Sequence, residues 1–240
     1  MRNGLQIDNW AFWSPESETP SEWRAHWTSN AASPGHANVP DDLIPAFHRR
    51  RMSALSKLAV QIALRAAGDL RADFLIFCSQ HGELIRSREL LGSIAEGMEL
   101  SPTSFSQSVH NTSAGLYTII SRSRVPATAL ASGASTFAYG WLEAEAYVSQ
   151  HPSARVLLVS YDDLLPTEYL PYSTQKECRY GVGLVLSKGA AGYIALERVS
   201  AGTDDELPMA PQFMAWWLTA EPSLSLTADG QGWSWSRHAS

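Results

Sequence analysis

The stretch that decides the fold runs from residue 125 to 135 and reads Val-Pro-Ala-Thr-Ala-Leu-Ala-Ser-Gly-Ala-Ser. An apolar segment over 126–131 passes directly into the segment 132–149, whose apolar side chains recur at helical spacing. We predict a buried strand followed by a helix with small residues in its first turn. Many enzymes mount a nucleophile at such a junction, because a helix N-terminus stabilises negative charge. The candidate here is Ser132, since the junction holds no cysteine.

Strands and helices alternate on both sides of this junction. We predict strands from two patterns. Short apolar runs are typical of strands buried on both faces, and alternating polarity is typical of strands buried on one face. The predicted strands are 5–13, 74–78, 126–131, 156–160, 181–187 and 192–199. Apolar side chains three and four residues apart give the helices. The predicted helices are 53–67, 86–97, 111–122 and 132–149. We expect an α/β fold with a mostly parallel sheet, closed by a hairpin that turns at Lys188-Gly189.

The composition excludes several classes of protein. The 240 residues carry a formal net charge of −6, whereas a general nucleic-acid binder is usually basic. Two cysteines are too few for a disulfide scaffold, which favours a reducing compartment. No apolar run approaches the roughly 20 residues of a membrane helix, and the N-terminus lacks the apolar core of a signal peptide. We expect a cytoplasmic protein with no membrane span and no nucleic-acid partner.

The sequence indicates neither a metal nor a cofactor. Cys78 and His81 form a Cys-x-x-His pair, but no second pair with suitable spacing accompanies it. The Gly181-Val-Gly183 segment lacks the third glycine of a dinucleotide fingerprint and opens a strand instead of a helix. We therefore expect no metal and no cofactor.

Two flanking regions differ from the predicted α/β core. Residues 14–45 are rich in Ser, Pro and Asn, and we expect an irregular insertion that holds one short helix. Residues 201–240 are first rich in proline and then in tryptophan, and we expect an extension that packs on the domain. The expected division is thus a domain over 1–200, with its core at about 45–200, and an extension over 201–240.

Four stretches, in this order, resemble the N-terminal half of a β-ketoacyl synthase, a condensing enzyme of the thiolase fold. They are 50–59, 108–115, 126–140, and 154–160 with the closing strands at 181–199. The resemblance covers roughly residues 45–200. It implies a single domain with half of a thiolase-like fold, in which a mostly parallel mixed sheet is flanked by helices.

The chain departs from that family at the residues that carry the chemistry. The family's catalytic cysteine aligns with Ser132, or with Gly133 if the alignment slips by one residue. Its two catalytic histidines lie in the C-terminal half, outside the matched residues. A decarboxylating condensation needs a thiolate to hold the acyl chain and histidines to stabilise the enolate. We therefore expect no catalytic residue in this chain.

The chain is most similar to the short non-catalytic relatives called chain length factors, which are associated with aryl polyene biosynthesis. The resemblance implies a heterodimer with a full-length ketosynthase, whose acyl tunnel this chain would complete and shape, and an acyl carrier protein that serves the complex. Residues implied to contact the tunnel or interface lie on a loop and on the strand before Ser132. They are Ser104, Phe105, Val109, Asn111, Thr112, Ala129 and Ala131.

Two other functions remain open from the sequence. Ser132 is a possible nucleophile of an acyltransferase or hydrolase, with His81 or His110 as its base. That role requires a Ser–His hydrogen bond of roughly 2.6–3.2 Å. A serine at such a junction more often caps the helix by accepting a backbone N–H bond. The other alternative is a stand-alone acyl-binding module.

Overall fold

The computed structural model describes residues 4–17, 19–29, 37–189 and 192–239. The strands within these ranges are β1 (Leu5–Trp13), β2 (Phe74–Cys78), β3 (Ala127–Leu130), β4 (Val156–Asp162), β5 (Tyr180–Lys188), β6 (Gly192–Val199), β7 (Ser223–Ala228) and β8 (Gln231–Ala239). The helices are α1 (Pro20–Thr28), α2 (Ala46–Arg49), α3 (Ala54–Ala67), α4 (Leu84–Ala95), α5 (Pro102–Ser106), α6 (Thr112–Ser121), α7 (Thr136–Gln150) and α8 (Met209–Trp217). The predicted strands and helices are confirmed to within a few residues.

One mixed sheet joins the described strands in the order β3-β2-β4-β5-β1-β6-β8-β7. Only β3, β2 and β4 run parallel, and the other neighbours pair antiparallel. The α/β class with flanking helices is confirmed, but the parallel part is confined to one end of the sheet. Two parallel strands cannot be joined by a tight hairpin, so the connections between β2, β3 and β4 contain helices.

The predicted hairpin between β5 and β6 is wrong. Strand β1 lies between them and pairs with β5 from Leu5↔Lys188 to Trp13↔Gly181. It also pairs with β6 at Leu5↔Ile194. The long β1 strand therefore occupies the edge of β5 that a hairpin would need.

Side chains of the parallel strands alternate between two core layers. Leu75 and Phe77 of β2 pack with α3 and α6 on one face of the sheet. Ile76 and Cys78 of the same strand pack with α7 and α8 on the other face. Period-two alternation along a strand explains this division. Both faces of β2 and β4 are covered, so these strands read as continuous apolar runs.

Helix α7 approaches the sheet closely at Gly140. A Cβ atom at this position would overlap the Cys78 Sγ and contact Leu158. Glycine permits the approach because it carries no side chain. The approach sets the depth at which α7, and with it the turn that precedes it, lies on the sheet.

The regions that flank the predicted core are built into the same layers. Helix α1 begins with a capping box between Thr19 and Glu22, and its Trp23 and Trp27 are buried. Strand β8 pairs with β6 along its length and so extends the sheet. The division of the chain at residue 200 stays a prediction.

Two details of the quoted stretch differ from expectation. Strand β3 was expected to be buried, but it forms one edge of the sheet and is exposed or half-buried. Helix α7 begins at Thr136 and not at Ser132, because residues 132–135 form a turn with Gly133 at φ +55°. A positive φ is incompatible with a regular helix.

Within the described ranges, no helix is long and apolar enough to cross a membrane. The same residues contain no group of three or more His, Cys, Asp or Glu side chains placed to hold a metal ion.

Candidate functional site

Ser132 lies on a tight turn between β3 and α7. Its backbone N–H donates to Thr136 Oγ1 at 2.9 Å, and that hydroxyl donates to the Gly133 carbonyl at 2.6 Å. The Thr136 side chain therefore fixes the turn from the first residue of the helix. Ser135 holds the cap position of α7 without a side-chain cap bond, so the expectation that Ser132 caps the helix is wrong.

The Ser–His arrangement of a serine enzyme is not formed in the described part of the chain. No hydrogen bond joins the half-buried Ser132 hydroxyl to a histidine there. The His110 Nε2 atom lies 2.8 Å from the Ser79 carbonyl oxygen. The backbone N–H of His81 donates to Asp162 Oδ1 at 3.2 Å. The bond that a serine nucleophile requires is therefore missing from this conformation.

Neither cysteine replaces the missing thiolate. Cys78 and Cys178 are both buried and unpaired. Burial raises the pKa of the Cys78 thiol far above its usual range. Burial, together with Asp162 and nearby glutamates, raises the pKa of Cys178 to about 12. Both side chains are neutral thiols near pH 7, and a neutral thiol is a poor nucleophile.

A buried carboxylate lies at the carboxyl ends of β2 and β4. Asp162 accepts hydrogen bonds from the Ser79 hydroxyl at 2.7 Å and from the Tyr180 hydroxyl at 3.1 Å. The backbone N–H groups of Gln80 and His81 donate to the same carboxylate. Burial raises the pKa of Asp162, and nearby His81, the Ser79 hydroxyl and the two backbone N–H donors oppose that rise. The network holds the loop after β2 against the end of β4.

A second buried carboxylate, Glu83, joins the same loop to α3. The Ser53 hydroxyl donates to Glu83 Oε1 at 2.7 Å, and the Ser56 hydroxyl donates to the same oxygen. Arg86 Nε lies 3.9 Å from Glu83 Oε2. The two serine bonds on Oε1 therefore connect the residue before α4 to the start of α3.

A cavity of about 290 Å³ opens beside these carboxylates. Apolar side chains line part of its wall, and the polar residues of the wall include His81, Glu83 and Asp163. The apolar members of the wall are Leu55, Leu84, Ile85, Leu164 and Leu165. The volume lies at the lower end of the range for small-molecule pockets.

The segment from α4 to α6 exposes an unusual share of large apolar side chains. No residue of α4 is buried. Seven of the eleven exposed large apolar side chains in the described chain lie between residues 85 and 119. They are Ile85, Leu91, Ile94, Met98, Phe105, Val109 and Ile119. We call this segment the apolar arm, and exposed large apolar side chains in this number are typical of an interaction site.

The loop residues implied by the resemblance fall on the arm, with one exception. Phe105 is 62% exposed and Val109 is 46% exposed, while Ser104 beside them is half-buried. Asn111 holds the cap position of α6. Thr112 is instead buried, and its Oγ1 has no hydrogen-bond partner. Four of these residues are therefore exposed or half-buried, and the fifth is buried.

The strand residues Ala129 and Ala131 lie at the edge of the sheet. Ala129 pairs with Phe77 of β2 on one side. The other side of β3 has no partner strand in the described chain. Ala131, at the end of the strand, is exposed. An unpaired edge presents open backbone N–H and C=O groups, which are a template for pairing with another chain.

A comparison with models of known protein families shows which family the chain belongs to. The model described as Beta-ketoacyl synthase, N-terminal domain, matches residues 21–236. The chain belongs to this family. The match includes α8, β7 and most of β8, so it reaches beyond the residues 45–200 that resemble the family by sequence pattern. Among curated proteins, no sequence match is found.

Solved ketosynthase structures share the fold. A structure titled as a ketosynthase in complex with its chain length factor, from Xenorhabdus doucetiae, matches with 28% identity and a TM-score of 0.84, covering 98% of this chain and 99% of the matched chain. The ishigamide ketosynthase/chain length factor matches at 12% identity and a TM-score of 0.73, covering 98% of each chain. A β-ketoacyl synthase from Burkholderia phymatum matches at 13% identity and a TM-score of 0.63, covering 84% of this chain and 66% of that one.

Within this ketoacyl synthase domain, sequence reasoning missed the role of Glu83. In the sequence, Glu83 lies just before the predicted helix over 86–97, and nothing there indicates that its side chain is buried. Its serine partners at 53 and 56 lie about thirty positions earlier in the chain. The one available signal was the pair of serines at the start of α3, which is also explained by helix capping.

Proposed function

We propose that this chain is a non-catalytic chain-length-factor subunit that pairs with a full-length ketosynthase and shapes its acyl tunnel. The observations that carry the proposal are the exposed side chains of the apolar arm and the unpaired edge of β3. Exposed large apolar side chains are typical of an interaction site, and an unpaired strand edge is a template for pairing with another chain. A condensing enzyme with the same fold would supply the matching edge strand.

The absence of a reaction centre supports a non-catalytic role. Ser132 stands at the nucleophile position without a histidine bonded to it in the described chain, and both cysteines are buried. A condensation step needs an accessible thiolate or an activated hydroxyl. The partner ketosynthase would carry out the condensation, and this chain would contribute only binding surface and part of the tunnel wall.

The likeness to the Xenorhabdus doucetiae complex supports the choice of partner. That structure is titled as a ketosynthase with its chain length factor, and the match covers 98% of this chain and 99% of the one chain it matches. We assign this chain by analogy to polyene or fatty-acid-like biosynthesis, with aryl polyenes as the specific class. The acyl carrier protein would meet the complex rather than this chain alone, and the complex would work in the cytoplasm.

Within the complex, the arm would supply wall to the partner's acyl tunnel. Phe105 and Val109 project from the arm, and Ser104 lies beside them. Rigid apolar side chains at the end of a tunnel limit the length of the chain that fits. Ala129 and Ala131 would lie at the junction of the two sheets, where small side chains allow close approach.

Co-expression with the ketosynthase, followed by size-exclusion chromatography with light scattering, tests the pairing. We expect a one-to-one complex that condenses acyl units, while this chain alone does not. Phe105→Asp places a charge in the proposed interface and should prevent the complex from forming. Tyr172→Asp is the matched control, because Tyr172 is 83% exposed and lies outside the arm. A chain that ignores the ketosynthase, or loses binding equally in both variants, contradicts the proposal.

A further inference from the structure

The N-terminus of α7 holds a carboxylate from the chain's own C-terminal hairpin. Strands β7 and β8 are joined by an Asp229-Gly230 turn, with φ of +52° and +66° at its two residues. An Asp-Gly pair is favoured in two-residue hairpin turns because both positions need positive φ. The Ser135 backbone N–H donates to Asp229 Oδ2 at 3.4 Å. A Cβ atom at Gly133 would overlap the same carboxylate.

Further bonds fix this hairpin against α7. The Ser135 hydroxyl donates to the Ala228 carbonyl at 3.1 Å, and Trp233 Nε1 donates to the Ser135 hydroxyl at 3.1 Å. The Tyr139 hydroxyl lies 3.1 Å from Gln231 Oε1. Ser135 and Trp233 are buried. The position of the carboxylate is therefore set by a packed interface and not by a mobile surface side chain.

A loop from the other side also holds the turn. The Gly230 N–H donates to Asp204 Oδ1 at 3.0 Å, and the Thr227 N–H donates to Asp205 Oδ2 at 2.6 Å. Asp229 forms no ion pair with a basic side chain in the described chain. Its charge is therefore free to interact with the first backbone N–H groups of α7.

We propose that Asp229 occupies the place where the N-terminus of α7 would otherwise stabilise a negative charge, and so keeps the centre at position 132 inactive. A helix N-terminus carries a partial positive charge that favours an anion within its first turn. An internal carboxylate satisfies that preference permanently, and it repels a second anion beside it. The consequence is that the residue at 132 holds no acyl group, even if a thiol is restored there. This inference does not depend on which protein the apolar arm binds.

A reporter thiol tests the assignment. Ser132→Cys in the full chain is alkylated with iodoacetamide between pH 6 and 9, and modification at each cysteine is followed by mass spectrometry. We expect the new thiol to titrate at or above the ordinary value of about 8.5. Adding Asp229→Asn should accelerate its alkylation at pH 7 about tenfold, with the midpoint of the pH profile about one unit lower. Asparagine tolerates the positive φ of this position.

A matched control separates charge from loosening of the hairpin. Asp204→Asn weakens the same turn without removing the charge at α7, and it should leave the rate within about twofold of the Ser132→Cys chain. Slow reaction of the buried Cys78 and Cys178 reports that each variant is folded. If Asp229→Asn fails this check, Asp229→Gly supplies a neutral turn with still less strain. The proposal is overturned if Ser132→Cys already titrates well below 8.5, if the neutral variants react no faster, or if Asp204→Asn accelerates alkylation equally.

Discussion

The ring of His110 is bonded to the end of β2, with its Nε2 atom 2.8 Å from the Ser79 carbonyl oxygen. A Cβ atom at Gly82 would overlap this ring, so the loop after β2 and the end of the arm pack directly together. The same Ser79 donates its hydroxyl to the buried Asp162. The arm is therefore tied to the rigid centre of the sheet before any partner binds, which lowers the ordering cost of association.

The first prediction concerns this tie. His110→Ala should weaken association with the ketosynthase about tenfold, because the arm loses its fixed position while its apolar side chains remain. Isothermal titration or biolayer interferometry measures the change. His151→Ala is the control, since His151 makes a comparable bond to a backbone carbonyl at the end of α7, away from the arm. Equal effects of the two substitutions would exclude a positioning role for His110.

The second prediction concerns product length. Phe105→Ala in the assembled complex should shift the ketosynthase toward longer products, because a large exposed aromatic side chain is removed from the proposed tunnel wall. Mass spectrometry of the released acyl chains gives the distribution. Leu91→Ala removes a side chain of the arm from the exposed face of α4 and serves as the comparison. An unchanged distribution with an intact complex would remove Phe105 from the tunnel.

The third prediction concerns Ser132. Ser132→Ala should leave the turnover of the complex within about twofold of the unmodified complex, because the Ser132 hydroxyl has no histidine partner in the described chain. The Ser132 backbone N–H, which fixes the turn, is retained. A loss of several orders of magnitude with the complex still assembled would show that Ser132 is catalytic.

The fourth prediction is a pH dependence of stability. Burial raises the pKa of Glu145 in α7 from 4.5 to about 7, and hydrogen bonds from Trp141 and from the Leu196 backbone only partly oppose the rise. A carboxyl whose pKa is raised on folding favours the folded state below pH 4.5, and this contribution is lost as pH rises to about 7. Glu145→Gln should therefore raise the melting temperature by about 2–6 °C at pH 8 and by little at pH 4.

Differential scanning fluorimetry across that pH range measures the effect. Glu143→Gln is the control, because Glu143 lies on the exposed face of the same helix. A shift of the same size at both pH values, or in both variants, would show that the burial of Glu145 is not its cause.

The fifth prediction concerns the depth of α7. Gly140→Ala should destabilise the fold by about 1–3 kcal/mol, because the added methyl group would overlap the Cys78 Sγ in a packed layer. Gly92→Ala in the exposed helix α4 meets no atom within 4 Å and should instead stabilise by up to about 1 kcal/mol. Urea unfolding of both variants compares them. Stabilisation by both substitutions would refute the close approach.

Local sequence patterns predicted most of the strands and helices, because burial and capping leave a pattern in the residues of the element itself. The apolar run of β2 reflects burial on both faces, and α3 lies between Ser53, which caps it, and Gly68 at φ +50°. The order of the strands was harder. Strand β1 separates β5 from β6 through pairing with residues about 180 positions away, and nothing near the Lys188-Gly189 segment reveals this.

The candidate site shows the same division. Motif order and the resemblance placed Ser132 at the nucleophile position and implied a tunnel contact for Phe105, and both stay predictions. The carboxylates Glu83 and Asp229 were missed, because their roles depend on contacts with residues distant in the chain. A strand edge and a buried strand also have similar composition, so the exposure of β3 was not evident from its apolar residues.

Hydrogen–deuterium exchange of the chain, alone and with the ketosynthase, tests the central claim most directly. We predict that the partner protects amides over 102–112 and 127–131, which belong to the arm and the free edge of β3. Amides of β7, at the opposite edge of the sheet, should exchange equally in both states. A stable complex that protects β7 and leaves β3 and the arm unprotected would contradict the account.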